Sequence, residues 1–121
     1  MDTREKIVDA AAAVQIKAAG ATVVSGYFDP LIAWHARWLA NFKKPGKALM
    51  ILIATRENSI LPVRARQELV ASLAVVNHVT EFSDELADGA IRLESQDREL
   101  FQDLLELVHT RNQSLAAAKP N

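Results

Sequence analysis

The stretch ATVVSGYFDPLIAWHARWLANFKKPGKALMILIAT, residues 21–55, decides the fold of this chain. It begins with a short β-branched run that ends at Gly26, and it closes with KALMILIAT, an apolar run without alternation. Both runs are typical of strands that are buried on both faces of a parallel sheet. Between them, AWHARWLANFKK has helical spacing and is stopped by Pro45 and Gly46. The stretch therefore predicts a strand–helix–strand unit.

Helical segments flank this unit on both sides. Residues 3–20 predict an N-terminal helix, VRARQELVASLAVV (63–76) predicts a crossover helix, and residues 95–112 predict a C-terminal helix followed by a frayed tail at 115–121. The apolar spacing predicts these buried stripes: Ile7, Val8, Ala11, Val14 and Ala18 in the first helix; Trp34, Trp38 and Phe42 in the second; Leu69, Val70, Leu73 and Val76 in the third.

Further strands are predicted between the later helices. HVTEF (78–82) and AIRLE (90–94) are strand candidates, and SDELADG (83–89) between them suits one capped helical turn. This order predicts an α/β fold: a Rossmann-like three-layer α/β/α sandwich with a mainly parallel sheet of about four or five strands, as one domain over residues 1–121. Loops 26–33, 55–62 and 82–84 should then share the carboxyl edge of the sheet, where such folds bind ligands.

The composition narrows the class of protein. Lys plus Arg number 14 against 15 Asp plus Glu, so the basic excess of a nucleic-acid-binding domain is missing. The chain has no cysteine, its charged start does not resemble a signal peptide, and its longest apolar stretch, residues 48–54, is too short to cross a bilayer. These features predict a cytoplasmic domain that binds neither nucleic acid nor membrane.

The loop after the first strand carries the clearest chemical signal. Gly26 lets a ligand approach the backbone closely, and the free N–H groups at the start of the next helix suit an anion. His35, about one turn into that helix, would add a donor or a positive charge. The alternative is an ordinary strand-to-helix turn with a structural histidine, and the residues alone leave both open.

The residues GYFDPLIAWH (26–35) resemble the G-x-F-D-x-x-H-x-G-H signature of the cytidylyltransferase-like nucleotidyltransferases. The similarity covers about residues 21–83 and includes the family's P-x-x-x-R-x-x-x-L-x-x-L helix and its V-D-x-V strand. Glycerol-3-phosphate cytidylyltransferases and the nucleotidyltransferase domain of heptose-phosphate enzymes look most similar. The resemblance implies a Rossmann-like fold, a nucleotide ligand of the CTP or ATP class, and Mg²⁺ with the nucleotide if the chain is active.

The signature is degenerate at two positions. Ile32 stands where the resemblance implies the first histidine, and Trp34 stands where it implies a glycine that passes close to the nucleotide. The family's later I-S-T-S-x-x-R element has no match. His35 remains as the single predicted catalytic residue. The predicted nucleotide-binding set joins the loop residues to four cations expected near this edge: Gly26, Tyr27, Phe28, Asp29, His35, Lys47, Arg56, Arg64 and Arg66.

Three functions follow as hypotheses. The first is a degenerate nucleotidyltransferase domain that binds a nucleotide or phosphorylated small molecule with little or no turnover, because loss of one preorganised donor typically costs roughly 100- to 1,000-fold in rate. The second is an active transferase with a rearranged or partner-completed site. The third is a structural or interaction protein, such as a homodimer, in which Ile32, Trp34 and Trp38 form a packed or dimerising surface. The three histidines, at 35, 78 and 109, lack metal-ligand spacing, so no metal site is predicted.

Overall fold

A computed structural model describes residues 2–94, so the predicted C-terminal helix and tail lie outside the described residues. The strands are β1 (Thr22–Gly26), β2 (Leu49–Ile53), β3 (His78–Glu81) and β4 (Ile91–Arg92). The helices are α1 (Ala10–Ala18), α2 (Ala33–Phe42), α3 (Val63–Ala71) and α4 (Asp84–Ala87), preceded by a short 3-10 helix (Thr3–Lys6). The predicted fourth strand and the capped turn over 83–89 are therefore confirmed.

The four strands form one parallel sheet in the order β3-β2-β1-β4. The register pairs Thr22 with Leu49 and Gly26 with Ile53, so β1 and β2 end at the same level. All five β2 residues are buried, as an apolar run without alternation requires. The chain moves outward from β1 through β2 to β3 and then returns to place β4 on the other side of β1. The predicted Rossmann-like α/β fold is confirmed.

Helices cover both faces of the sheet. Leu39 of α2 and Val70 of α3 pack on one face with Val24, Ile51 and Val79. On the other face, residues of α1 and α4 pack against alternate strand positions: Ala13, Leu86 and Ala87 against Val23, Met50 and Leu52. These two hydrophobic layers make the predicted sandwich.

The N-terminal helix over residues 3–20 was wrongly predicted as continuous. After the 3-10 helix the chain is extended: Ile7 bridges Val79 of β3, and the Val8 N–H donates to the Val79 carbonyl at 2.8 Å. Asp9 then caps α1, because its carboxylate accepts from the Ala12 N–H at 2.9 Å. The segment thus covers the free edge of β3, and Ala13 is the one α1 residue that is fully buried.

Two predicted helix stripes also need correction. In α2 the buried residues are His35 and Leu39, whereas Trp34 is 38% exposed. Trp38 and Phe42 pack against the core but are only partly buried. The third helix ends at Ala71, and its buried face includes Arg66 and Gln67 while Leu69 is 42% exposed. On these two helix faces, buried positions are thus occupied by the polar side chains His35, Arg66 and Gln67.

His78, at the start of β3, should make stability depend on pH. Partial burial lowers the pKa of His78 below its ordinary value of 6.5. The unfolded chain therefore takes up this proton first, and the folded state loses stability as pH falls from 6.5 through the lowered pKa. Above 6.5 the contribution is constant.

We expect His78→Gln to remove this part of the pH dependence. Urea unfolding of both proteins at about pH 8, 7, 6 and 5 measures it, because groups common to both cancel in the difference. The free energy of unfolding of the native chain, minus that of the variant, should be level at the two higher values and fall at the two lower ones. A difference that is the same at every pH would contradict the expectation.

Candidate functional site

The loops after β1, β2 and β3 lie at one edge of the sheet, as predicted from the parallel order. Hydrogen bonds join their starting points: the Ala54 N–H donates to the Gly26 carbonyl at 2.9 Å, and the Phe82 N–H donates to the Ile53 carbonyl at 3.1 Å. On the β4 side, the Leu93 N–H donates to the Ser25 carbonyl at 2.8 Å. The predicted site residues of these loops are therefore held on a common rigid base.

The loop after β1 turns sharply at Phe28. Its backbone has φ of 47°, a left-handed conformation that bulky residues rarely adopt and that costs about 1–3 kcal/mol. The Phe28 side chain is fully buried in the core, and its ring meets the His35 ring edge-on with centroids 5.1 Å apart. Burial of the ring holds the turn, and the turn carries Asp29 into the protein.

Asp29 fastens the loop after β2. It is 7% exposed, and its two carboxylate oxygens accept from the Ile60 N–H at 2.7 Å and the Leu61 N–H at 2.8 Å. Charge-assisted bonds of this kind are about twice as strong as neutral ones. Asp29 thus ties residues 54–62 to the loop that contains the signature.

Arg66 completes the same connection from α3. It is 1% exposed, and its guanidinium donates to the Ala54 carbonyl at 2.6 Å, the Tyr27 carbonyl at 3.1 Å and the Leu61 carbonyl at 3.1 Å. A fourth bond goes to the Thr55 hydroxyl at 3.1 Å. The backbone of Leu61 lies between the two charges, since the Leu61 N–H donates to Asp29 and the Leu61 carbonyl accepts from Arg66. We call Asp29, Leu61 and Arg66 the loop clamp.

His35 is directed into the helix start rather than outward. It is 5% exposed, and its Nδ1 accepts a hydrogen bond from the Ile32 N–H at 3.0 Å. The ring also contacts the Trp38 ring edge-on at 6.2 Å between centroids. Nδ1 therefore stabilises the first turn of α2, where Ile32 has no side chain that can cap.

Trp34 does not fill the interior of the site. Its side chain is 38% exposed, whereas Ile32 just before it is partly buried. Ile60, in the loop that Asp29 fastens, is 65% exposed. Ile32 and Trp34 thus add apolar surface to the carboxyl edge, and the Trp34 indole does not fill the space at that edge.

Arg56 is the predicted cation that remains available at this edge. Its guanidinium carbon lies 4.9 Å from the centroid of the Tyr27 ring, a cation–π contact. Within residues 2–94 the guanidinium makes no hydrogen bond, and its Nε is buried without a partner. The backbone is fixed by Ser59, whose hydroxyl donates to the Arg56 carbonyl at 2.9 Å. The Arg56 side chain is therefore held over Tyr27, yet its guanidinium donates no hydrogen bond to any residue within 2–94.

The other two predicted cations lie apart from Arg56. Arg64 is exposed in the first turn of α3, where its Nε is 3.3 Å from a carboxylate oxygen of Glu68. Lys47 precedes β2 and therefore lies at the opposite, amino edge of the sheet, beside Gly20, Gly46 and His78. The structure brings together Tyr27, Asp29, Arg56 and Arg66, and it does not bring Lys47 to them.

One polar group at this edge was missed in the sequence. Ser25 is fully buried, and its hydroxyl donates to a Glu94 carboxylate oxygen at 2.8 Å. Arg92 Nε donates to the same oxygen at 3.1 Å. The three residues link the carboxyl ends of β1 and β4, where the strand order reverses and Rossmann-like sheets commonly bind ligands. In the sequence, the one indication of this polar group was that Ser25 directly precedes Gly26 at the end of β1.

Fold and site together define a Rossmann-like α/β domain with a preorganised carboxyl edge. No protein-family model matches the chain, and no curated protein matches it. Residues 2–94 contain no cluster of three or more His, Cys, Asp or Glu side chains suited to a metal ion. None of the helices in that same range is long and apolar enough to span a membrane.

Proposed function

We propose that the chain is a degenerate cytidylyltransferase-like domain that binds a nucleotide or another phosphorylated small molecule with little or no turnover. The observation that carries this proposal is the guanidinium of Arg56, held over Tyr27 at the carboxyl edge without a hydrogen bond from residues 2–94. An arginine presented in this way suits the oxygens of a phosphate, which accept bidentate bonds from its fork. The resemblance over residues 21–83 supports the nucleotide class.

The surroundings of Arg56 also favour an anionic ligand. Two guanidinium groups, Arg56 and Arg66, lie at the junction of the loops after β1 and β2, together with the buried carboxylate of Asp29 and the exposed carboxylate of Glu57. Within the described range neither arginine forms an ion pair with a carboxylate. A partly buried guanidinium that has no carboxylate partner attracts a phosphate more strongly than an exposed lysine does.

The same geometry argues for low turnover. Nucleotidyl transfer depends on donors placed at the phosphate charge that develops in the transition state. Ile32 supplies no donor, so the donor that the resemblance implies at this position is missing, whereas His35 accepts from the Ile32 N–H at Nδ1 and has Nε2 as its donor nitrogen. The expected loss in the rate of nucleotidyl transfer is larger than an exposed substitution would cause. It is smaller than the product of the separate losses, because rate losses within one site are not additive.

Titration calorimetry with CTP, ATP and a CDP-alcohol tests the binding half of the proposal. We expect saturable binding of at least one of them, and Arg56→Gln should weaken it by at least about tenfold, because a hydrogen bond to a charged group is worth about 1.5–3 kcal/mol. Arg37→Gln is the matched control, since Arg37 is exposed on α2 and the variant removes the same charge elsewhere. Absence of binding by the native chain at millimolar concentrations, or equal losses in both variants, would overturn the proposal.

A second candidate function, an interaction surface, is favoured by one observation. Trp34 and Ile60 are both exposed, at 38% and 65%, and both belong to elements that border the carboxyl edge. Exposed aromatic and large aliphatic side chains often anchor protein interfaces. This candidate predicts a homodimer that Trp34→Ser dissociates in sedimentation velocity, whereas a monomer at every concentration would exclude the self-association version.

A further inference from the structure

A second cleft lies at the carboxyl end of β3, and it is separate in its lining from Tyr27, Arg56 and His35. The N-terminal segment, α3, the end of β3 and the start of α4 enclose a volume of about 480 Å³, within the range of small-molecule sites. Its polar and aromatic lining is Asp9, Arg64, Gln67, Thr80, Glu81 and Phe82. The extended segment that covers the edge of β3 therefore builds one wall.

Two largely buried polar side chains in this cleft make no hydrogen bond to any residue within 2–94. Gln67 is 6% exposed and Thr80 is 3% exposed. Across residues 2–94, neither the Gln67 amide nor the Thr80 hydroxyl makes a hydrogen bond. Their polar atoms are accessible from the cleft, because among the described residues Arg56 Nε is the one fully buried side-chain nitrogen or oxygen without a partner. Both groups line the cleft, so their partners come from it, as water or as a ligand.

The charges around the cleft indicate the sign of that ligand. Arg64 is compensated by Glu68, whose carboxylate is 3.3 Å away. Asp9 and Glu81 are exposed, and neither forms an ion pair in the described part of the chain. The lining therefore has excess negative charge, which repels a phosphate and attracts an ammonium group.

We propose that this cleft binds a small amine that carries hydroxyl or amide groups close to its ammonium group. The carboxylates of Asp9 and Glu81 attract the ammonium, and the Gln67 amide and Thr80 hydroxyl bind the neutral polar groups. The Gln67 amide both donates and accepts, so it matches a ligand group with both capacities. Phe82 and Leu86 give the remaining wall apolar surface for the carbon skeleton.

Glucosamine, N-acetylglucosamine and glucosamine 6-phosphate are suitable probes, because they share one ring but differ in net charge. We expect glucosamine to shift the backbone amide resonances of Val8, Thr80 and Ser83 and the side-chain amide of Gln67 in a saturable way in ¹H–¹⁵N spectra. The neutral probe should bind more weakly and the phosphorylated probe most weakly. Equal affinity for all three, or no saturable shift with glucosamine, would overturn the proposal.

Substitutions then separate this cleft from the phosphate site. Gln67→Met and Thr80→Val keep shape but remove hydrogen bonding, and each should weaken glucosamine binding by about two- to tenfold. Gln15→Met, at an exposed position of α1, is the control and should bind as the native chain does. Arg56→Gln should also leave glucosamine binding unchanged, so loss of nucleotide binding and loss of amine binding are scored independently. Unchanged affinity in both cleft variants would contradict the assignment.

Discussion

Replacement of Arg66 by methionine is expected to lower the free energy of unfolding by about 3–5 kcal/mol. Methionine fills much of the aliphatic volume but leaves the carbonyls of Tyr27, Ala54 and Leu61 without their donor. Each buried polar group that loses its partner costs about 1–3 kcal/mol. The two loops that carry the candidate site should therefore separate before the rest of the sheet unfolds.

Urea unfolding measures this loss, with Arg37→Met as the matched control on the exposed face of α2. The control should change the free energy of unfolding by less than about 0.5 kcal/mol. Native-state hydrogen exchange adds a local readout, because the Ile60 and Leu61 amides should exchange faster in Arg66→Met. A loss below about 1 kcal/mol would show that the guanidinium does not hold the loops.

Asp29→Ala is expected to cost about 3 kcal/mol, the second-largest effect. The variant removes the acceptor of two backbone bonds, from the Ile60 N–H at 2.7 Å and the Leu61 N–H at 2.8 Å. Asp29→Asn should cost less, because its carbonyl oxygen still accepts one of them. Urea unfolding of the two variants should rank them in this order, and an Asn variant less stable than the Ala variant would contradict the assignment.

A double-mutant cycle tests whether the loop clamp acts as a unit. Asp29 and Arg66 form neither a hydrogen bond nor an ion pair with each other, but both bind backbone atoms of Leu61. We expect the double variant to lose less stability than the sum of the single losses, with a coupling of about 0.5–3 kcal/mol. Additive losses would mean that the two charges hold the loop independently.

These predictions change how the signature residues are interpreted. Asp29 and Arg66 match positions of the family signature and of its helix motif, yet both are buried and bind backbone. In this chain their contacts fix the shape of the carboxyl edge. Arg56, whose guanidinium makes no hydrogen bond within residues 2–94, is then the side chain on which the proposed ligand binding depends.

Much of the fold could be predicted because its strands have a strong local signal. The runs around Val24 and Ile51 are apolar and β-branched, and each is followed by residues that end a strand. A parallel order follows from the alternation of strands with helices, and it places three loops at one edge without any further information. The register and the pairing of β1 with β4 are contacts between distant residues, and local patterns do not encode them.

The helix errors have physical causes. Residues four apart advance about 400° around a helix, so the directions of Trp34, Trp38 and Phe42 differ by about 40° per step; Trp38 and Phe42 reach the core, whereas Trp34 lies outside it. The face centred on His35 and Leu39 is buried in its place. At the N-terminus, the helical periodicity runs through Asp9, although the capping bond of Asp9 divides the segment in two. The bridge from Ile7 to Val79 depends on a strand far along the chain, which the local pattern does not encode.

The sequence predicts where the candidate site lies, but it does not predict which of its side chains are buried and hydrogen-bonded to the backbone. Arg56 and Arg66 look alike in the sequence, as cations after the same strand. The structure distinguishes them, because Arg66 is 1% exposed and bonded to three carbonyls, whereas the guanidinium of Arg56 lies over Tyr27. Which cation is buried depends on the path of the loop, and that path is set by Asp29 from another part of the chain.

Phosphorus NMR of CTP and of ATP, each with Mg²⁺, a panel of phosphorylated alcohols and the native chain, tests the central claim most directly. One spectrum reports both binding and turnover. The account predicts that the phosphate resonances of at least one nucleotide shift or broaden when the protein is added, and that no pyrophosphate resonance appears. Resonances that the protein leaves unchanged, or steady accumulation of pyrophosphate, would contradict it.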